Sequence, residues 1–266
     1  MVLLRSRAVL PRHTAVPSLA LDDPAAYPTL EACAGTPIVA GNRLELLLNG
    51  QEIFPARLAV IAAAEGSITF APYYYARSAI GHQLAEALAA RSRAGVRVNV
   101  LLDRIGALGI PREYVQTMRR AGCRVAMFRP LRQALRSGRI NNRNHRRILV
   151  VDGRLGITGG SGIGPRWKGD GRTAEHWRDT DVRVEGPVVA SLQAVFARDW
   201  LEATGEVLGG VSYFPGVGHR GNVVARSSPR PRPSATWRST RCSCSPSPRP
   251  GARSPSPTPT SCRTRC

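Results

Sequence analysis

Between Arg43 and Phe128 the chain alternates strand-length apolar runs with amphipathic helical segments. Such a chain must lay helices against the faces of a sheet, because neither kind of element buries its apolar side alone. The strand-like runs are Arg43–Leu48 (RLELLL), Ser67–Tyr75 (SITFAPYYY), Val96–Leu102 (VRVNVLL) and Arg124–Phe128 (RVAMF). Helices are expected between them at Phe54–Ala64, His82–Arg93 and Pro111–Ala121, closed by Gly66, Gly95 and Gly122. In the first helix Leu58, Ile61 and Ala62 share the apolar side, and Arg57 and Glu65 fall off it. Asn49-Gly50 suits a tight turn, because both positions tolerate positive φ. The fold class that follows is α/β, a layered mixed β-sheet flanked by helices.

The stretch with the most chemistry is Asn144–Gly164, NHRRILVVDGRLGITGGSGIG. It reads as a strand at Arg147–Val151, an Asp152-Gly153 turn, a partner strand at Leu155–Thr158 and a glycine-rich loop. A further strand at Asp181–Val184 and a helix at Pro187–Leu201 follow, the helix turning Val189, Leu192, Phe196 and Trp200 inward. Residues two apart on a strand share a face, so His145 and Arg147 point the same way. Gly159, Gly160, Gly162 and Gly164 are expected to let backbone amides approach a ligand. An imidazole, a fixed cation and amide donors are what displacement at a phosphodiester needs: the imidazole attacks phosphorus while the others stabilise the non-bridging oxygens. Singly, these features are ordinary. A His among Arg residues is commonly a solvated strand edge, and a DG turn commonly closes a hairpin without chemistry. Their conjunction at these spacings carries the signal. His82 and His176 have no supporting motif.

The net charge of +20 is unevenly spread, since Gly221–Cys266 holds nine Arg and no Asp or Glu. The remaining basic excess suits a phosphate-bearing partner, either an anionic lipid surface or nucleic acid, and charge does not choose between them. Cys33 and Cys123 lie in the body and Cys242, Cys244, Cys262 and Cys266 in the tail, without zinc-site spacing or a disulfide framework. A reducing cytoplasmic setting is the expectation. The opening MVLLRSRAVLPRH is too short and interrupted for a signal peptide, and no apolar run reaches the roughly 18 residues of a membrane span. Any membrane contact is therefore expected to be peripheral, at the inner face. Three regions emerge: a Pro/Ala-rich leader over 1–40, in which Pro11, Pro17, Pro24, Pro28 and Pro37 interrupt helices; a folded lobe over 41–218; and an Arg/Ser/Pro-rich tail over 219–266, disordered by composition.

The pattern His145, one residue, Arg147, four residues, Asp152, six residues, Gly159-Gly160 resembles the HxKx4Dx6G(G/S) signature of the phospholipase D superfamily. It is most similar to the bacterial cardiolipin synthase-like branch. GNRLELLLNG, the helix opening IFPARL, RAGVRVNVLLD, RPLR, HWRDTDVRVEGPVV and LEATGE look like the same branch, so the likeness covers Gly41 to Phe214, one lobe of a two-lobed enzyme. It implies phosphatidyl transfer through a phosphohistidine, with His145, Arg147 and Asp152 as catalytic residues. Gly159, Gly160, Ser161 and Gly162 would bind the substrate phosphate, and Asp179 would orient a site histidine. The residues read alone make Asp152 chiefly a turn-holding residue and Asp179 a strand cap or salt-bridge partner. The implied substrate is a phosphatidylglycerol-like anionic phospholipid at a membrane surface, the acceptor a second lipid hydroxyl; no metal or other cofactor is implied.

Three positions depart from the family pattern. Arg147 replaces lysine with a planar fork, Gly162 stands where many relatives carry Asn, and Ala71 stands where similar proteins tend to have a carboxylate. In the family two motifs meet in one site, one histidine attacking and the other protonating the leaving alcohol. No second motif at this spacing occurs here. The switch to Arg, Pro, Ser and Cys is what a GC-rich gene yields when read out of frame. A frameshifted or truncated product with impaired activity is therefore expected. Two alternatives stand beside this reading: a phospholipase D-family nuclease working as a homodimer, disfavoured by the lipid-branch flanks, and a non-catalytic fragment that binds anionic lipid.

Overall fold

The structure, a computed structural model, describes residue 20 and residues 23–34, 36–128 and 144–227. Most of the expected leader, the RPLR segment and the tail from residue 228 lie outside the described residues. Among the described residues eight strands make one mixed sheet. They are β1 (Val39–Leu48), β2 (Ser67–Ala71), β3 (Arg97–Asp103), β4 (Arg124–Phe128), β5 (Ile148–Val151), β6 (Leu155–Gly159), β7 (Thr180–Glu185) and β8 (Val223–Ala225). Their spatial order is β4-β3-β2-β5-β6-β7-β1-β8.

Two helices, α3 (Ala79–Arg93) and α4 (Arg112–Arg120), carry the chain from β2 to β3 and from β3 to β4, so those three strands are parallel. The Asp152-Gly153 turn then joins β5 to β6 as a hairpin, and every remaining pairing in the sheet is antiparallel. Strand alternation sorts the core onto two faces. Val98, Val100, Leu102, Leu149, Val151 and Ile157 pack with α3, α4 and a further helix, α2 (Asn49–Ala62). On the other face Ile148, Val150 and Val184 meet Val188, Val189 and Leu192 of α5 (Val188–Thr204), and Ala71, Leu101 and Phe128 meet its Phe196 and Trp200. Each fully buried large apolar side chain contributes roughly 1.5–3 kcal/mol.

Several boundaries differ from expectation for physical reasons. A helix, α1 (Ala26–Ala34), forms inside the expected leader; its Pro28 sits in the first turn, where the missing N–H has no intrahelical acceptor to lose. No separate turn occupies Asn49-Gly50: Asn49 takes a left-handed φ of 58° and the chain passes from β1 straight into α2. β2 stops at Ala71 rather than Tyr75, because Pro72 offers no ladder donor. β8 lies within residues assigned to the tail, where Val223 pairs with Asn42 and Ala225 with Val39.

Asp152 closes the β5–β6 hairpin with φ 52° and also locks the approach to β2. Its Oδ1 accepts from the Gly66 and Ser67 amides at 2.7 and 2.8 Å, and Oδ2 accepts from the Glu65 amide at 3.0 Å. Asp152→Ala is predicted to lower unfolding free energy by about 2–3 kcal/mol through three orphaned amides. Urea titration checks this; an unchanged midpoint would show that the carboxylate holds nothing.

Candidate functional site

The site lies at the sheet edge where β2 and β3 end, β5 begins, and β6 hands over to β7. His145 and Arg147 precede β5 in an extended segment pinned at three points. The Asn144 amide donates to Asp103 Oδ2 at 3.0 Å, and Asp103 itself, 1% exposed at the end of β3, also receives the Ile105 and Gly106 amides. Arg146 turns to the opposite face and pairs with buried Asp199 of α5. The Arg147 carbonyl accepts from Thr158 Oγ1 at 2.9 Å. Alternate side chains are thus committed to opposite faces, which leaves His145 exposed and Arg147 half-buried beside it.

His145 Nδ1 stands 3.4 Å from Arg147 Nη1, too far to fix a tautomer. Tyr73, just past β2, lies against both: its ring centroid is 3.9 Å from the imidazole and 5.5 Å from the guanidinium carbon. Arg147 Nε is buried without a hydrogen-bond partner among the described residues. Burial lowers the Arg147 pKa from its ordinary value and the Arg57 charge lowers it further, while Asp179, Asp181 and Tyr73 act the other way. An arginine stays charged under these influences. The result is a fixed cation with an unused donor next to an accessible imidazole.

Behind this pair sits a buried cluster that sequence periodicity misassigned. Arg57, expected off the apolar side of α2, is 3% exposed and points beneath the glycine-rich loop. Its Nη2 donates to Asp181 Oδ2 at 2.7 Å and to Ser161 Oγ at 2.8 Å, while Ser161 Oγ donates to Asp181 Oδ2 at 3.0 Å. The start of α2 is fastened to the residue just ahead of β7. The Asn49 amide donates to the Asp179 carbonyl and Asn49 Oδ1 accepts from the Asp179 amide, at 2.9 and 3.2 Å.

The glycines serve a different purpose from the one their spacing suggests. A Cβ on Gly159 would collide with Asp181, one on Gly160 with the Asp179 carboxylate, and one on Gly162 with the Trp167 ring. These residues are small so that the loop can pack against β7 and a 3₁₀ turn at Pro165–Trp167. The amides of the loop are mostly engaged internally: Gly160 with the Thr180 carbonyl, Ser161 with Asp181 Oδ1, Ile163 with the Tyr74 carbonyl. Three of the loop's amides are thus already bound, and the Ser161 hydroxyl belongs to the buried cluster.

Asp152 sits at the far end of β5 from His145, about 20 Å of extended chain away, with its carboxylate on the turn amides described above. Asp179 is held by Trp167 Nε1 at 2.8 Å and by the Thr180 amide at 2.9 Å. A cavity of about 550 Å³ opens on its other side, lined by Leu48, Asn49, Glu52, Arg172 and Arg178 and by neither His145 nor Arg147. No group of three or more His, Cys, Asp or Glu among the described residues is placed to hold a metal ion. Tyr73, Arg57, Asp103 and Asp181 were missed as site residues. Only the position of Asp103 at the carboxyl end of a strand was a usable signal.

The family described as cardiolipin synthase, PLD-like domain matches residues 58–200. Cardiolipin synthase A of Pseudomonas fluorescens (strain SBW25) is 39% identical over 193 residues, covering 71% of this chain and 40% of that protein. Cardiolipin synthase of Geobacillus kaustophilus is 37% identical over 172 residues, covering 65% of this chain and 34% of that protein. This chain therefore spans less than half the length of these relatives. Among solved structures, phosphatidylserine synthase of Haemophilus influenzae aligns over 66% of this chain and 43% of its own with a TM-score of 0.49 and 14% identity. The phospholipase D family member Nuc of Salmonella typhimurium aligns over 61% and 96% with a TM-score of 0.46 and 15% identity.

Arg57→Ala is predicted to destabilise the fold by about 3–5 kcal/mol, because it leaves Asp181 buried and unpaired. Ser161→Ala should cost only about 1 kcal/mol. Chemical denaturation of both variants separates them; equal losses would mean that the ion pair is not what holds the loop.

Proposed function

The chain belongs to the family of PLD-like cardiolipin synthase domains, and from that premise we propose that it carries one half-site of a phosphatidyl transfer, with His145 as the reacting imidazole. The observation that carries this reading is the accessible His145 beside the partnerless buried Nε of Arg147. In the first step a His145 ring nitrogen attacks phosphorus of an anionic phospholipid such as phosphatidylglycerol. The P–N bond forms as the P–O bond to the leaving alcohol breaks, and that alkoxide takes a proton from an acid. In the second step a lipid hydroxyl loses its proton to the same group, attacks phosphorus and releases His145.

Arg147 is suited to hold the non-bridging oxygens through both steps, because its guanidinium is already desolvated and fixed. Asp179 and Asp181 act through Arg147 by their charge, which makes them positioning residues. Asp152 serves the fold of the hairpin. The acid is a second imidazole, and the one motif at Asn144–Gly164 supplies only the first. A second copy of the lobe, in a homodimer that pairs two half-sites, would provide it. The chain alone is then a slow enzyme whose rate depends on pairing. The lobe carrying this chemistry comprises roughly residues 41–227, longer at its end than composition suggests by the strand at Val223–Ala225. Its place is peripheral on a membrane; no helix of the described residues is long and apolar enough to cross one.

The test is incubation of the purified chain with phosphatidylglycerol vesicles and mass-spectrometric detection of cardiolipin. His145→Ala should reduce the rate on the order of 10³-fold, Arg147→Lys should retain most of it, and specific activity should rise with protein concentration. Cardiolipin formation at an undiminished rate in His145→Ala would sink the proposal. Cleavage of DNA without lipid turnover would favour the nuclease reading.

A further inference from the structure

The connection from β6 to β7 contains more than the site requires. Aromatic rings lead away from the imidazole in two groups, Tyr73 on the histidine and a run of three that starts at the next residue. Tyr73 lies on His145, its neighbour Tyr74 meets Trp167 at 5.2 Å between centroids, and Trp167 meets Trp177 edge-on at 4.7 Å. In the run of three, exposed Tyr74 (38%) and Trp177 (45%) flank Trp167, which is 8% exposed. The Arg166 guanidinium carbon lies 5.2 Å from the centre of the Trp177 ring. Lys168, Arg172 and Arg178 are exposed along the same connection, so with Arg166 it carries four cations against three carboxylates, Asp170, Glu175 and Asp179, and Arg172 is paired with Asp170 at 3.5 Å.

This shelf is built into the site. Trp167 Nε1 holds the Asp179 carboxylate, and the Trp167 ring fills the space that a side chain at Gly162 would need. The Trp177 amide donates to the Arg166 carbonyl at 2.6 Å, closing the connection on itself. A large exposed indole under a guanidinium, ringed by further cations, has an apolar body and a charged rim. Indole and phenol rings favour the boundary between headgroups and acyl chains, and nearby Lys and Arg add attraction to anionic lipid.

We propose that Tyr74, Arg166, Lys168, Trp177 and Arg178 form a docking face for an anionic lipid bilayer, which seats the His145 site at the depth of the phosphodiester. The occupant is a lipid surface, because the face joins a net positive rim to rings that suit an interface and is continuous with the site reading on which this inference rests. It also gives Trp177 a purpose that the transfer chemistry does not.

The experiment uses the full chain, intrinsic tryptophan fluorescence and vesicles of phosphatidylcholine with or without phosphatidylglycerol, some carrying brominated acyl chains. Vesicles containing phosphatidylglycerol should shift the emission to the blue, and brominated chains should quench it. Trp177→Ser should remove most of that quenching and weaken binding about tenfold. Arg166→Ser/Lys168→Ser should require roughly 10–30-fold more anionic lipid for half-binding, from two cations near the surface. Both variants alter exposed residues, and circular dichroism verifies their fold. His145→Ala should bind like the parent chain. If both surface variants bind and quench like the parent, the docking face is wrong, and the arginines beyond residue 227 become the source of binding. If the face behaves as expected but no lipid turnover is seen, the transfer reading fails and the docking face stands.

Discussion

A charge buried under a loop is tolerable only if another charge meets it. Arg57 and Asp181 meet at 2.7 Å with side-chain exposures of 4% and 0%, and much of the site depends on that pair. One partner comes from α2 and the other from β7, elements separated in sequence by five strands, β2 to β6. Their union fixes α2 over the end of β7 and draws Ser161 into the same cluster. It also sets the electrostatics next door. Arg147 experiences the Arg57 cation together with the Asp179 and Asp181 carboxylates, so two guanidinium groups and two carboxylates nearly balance.

The same cluster explains the glycines. The loop after β6 must lie flat against two aspartates and an indole, and any side chain at 159, 160 or 162 would occupy space already filled. Close packing of that kind engages the backbone amides internally. Under the proposed function, recognition falls to the pinned segment before β5. Asp103 on one side, Asp199 beneath and Thr158 on the other leave His145 and Arg147 few alternative placements. Preorganisation of this sort is what gives an imidazole and a cation their value at a reacting phosphate.

The sheet was largely legible from the sequence because its strands are short apolar runs bounded by Gly, Pro or Asp, and each helix shows its period. His145 and Arg147 were legible as a pair because strand alternation is strict. The role of Arg57 was not legible, and of Asp103 only its place at the carboxyl end of a strand was. A periodicity argument assigns a charged residue to solvent, and Arg57 is paired with a carboxylate 124 positions away. Asp103 captures an amide 41 positions on, a closure no local pattern announces. Composition misled at both ends of the lobe. Pro28 fits the first turn of α1, and Val223–Ala225 pairs with β1 although arginine, serine and proline dominate the sequence beyond it. The glycine loop was recognised by spacing, yet its reason is steric and lies in the residues opposite.

The central claim is that His145 is the atom-bearing nucleophile of a half-site whose second imidazole comes from another lobe. The most direct measurement mixes the chain with phosphatidylglycerol vesicles, quenches at alkaline pH to preserve a phosphorus–nitrogen bond, and maps adducts by mass spectrometry of the peptides. The account predicts a phosphatidyl adduct on His145, formed within the first turnover and depleted when a lipid hydroxyl is supplied in excess. An adduct on another residue, or cardiolipin formed while His145 stays unmodified throughout, would contradict it.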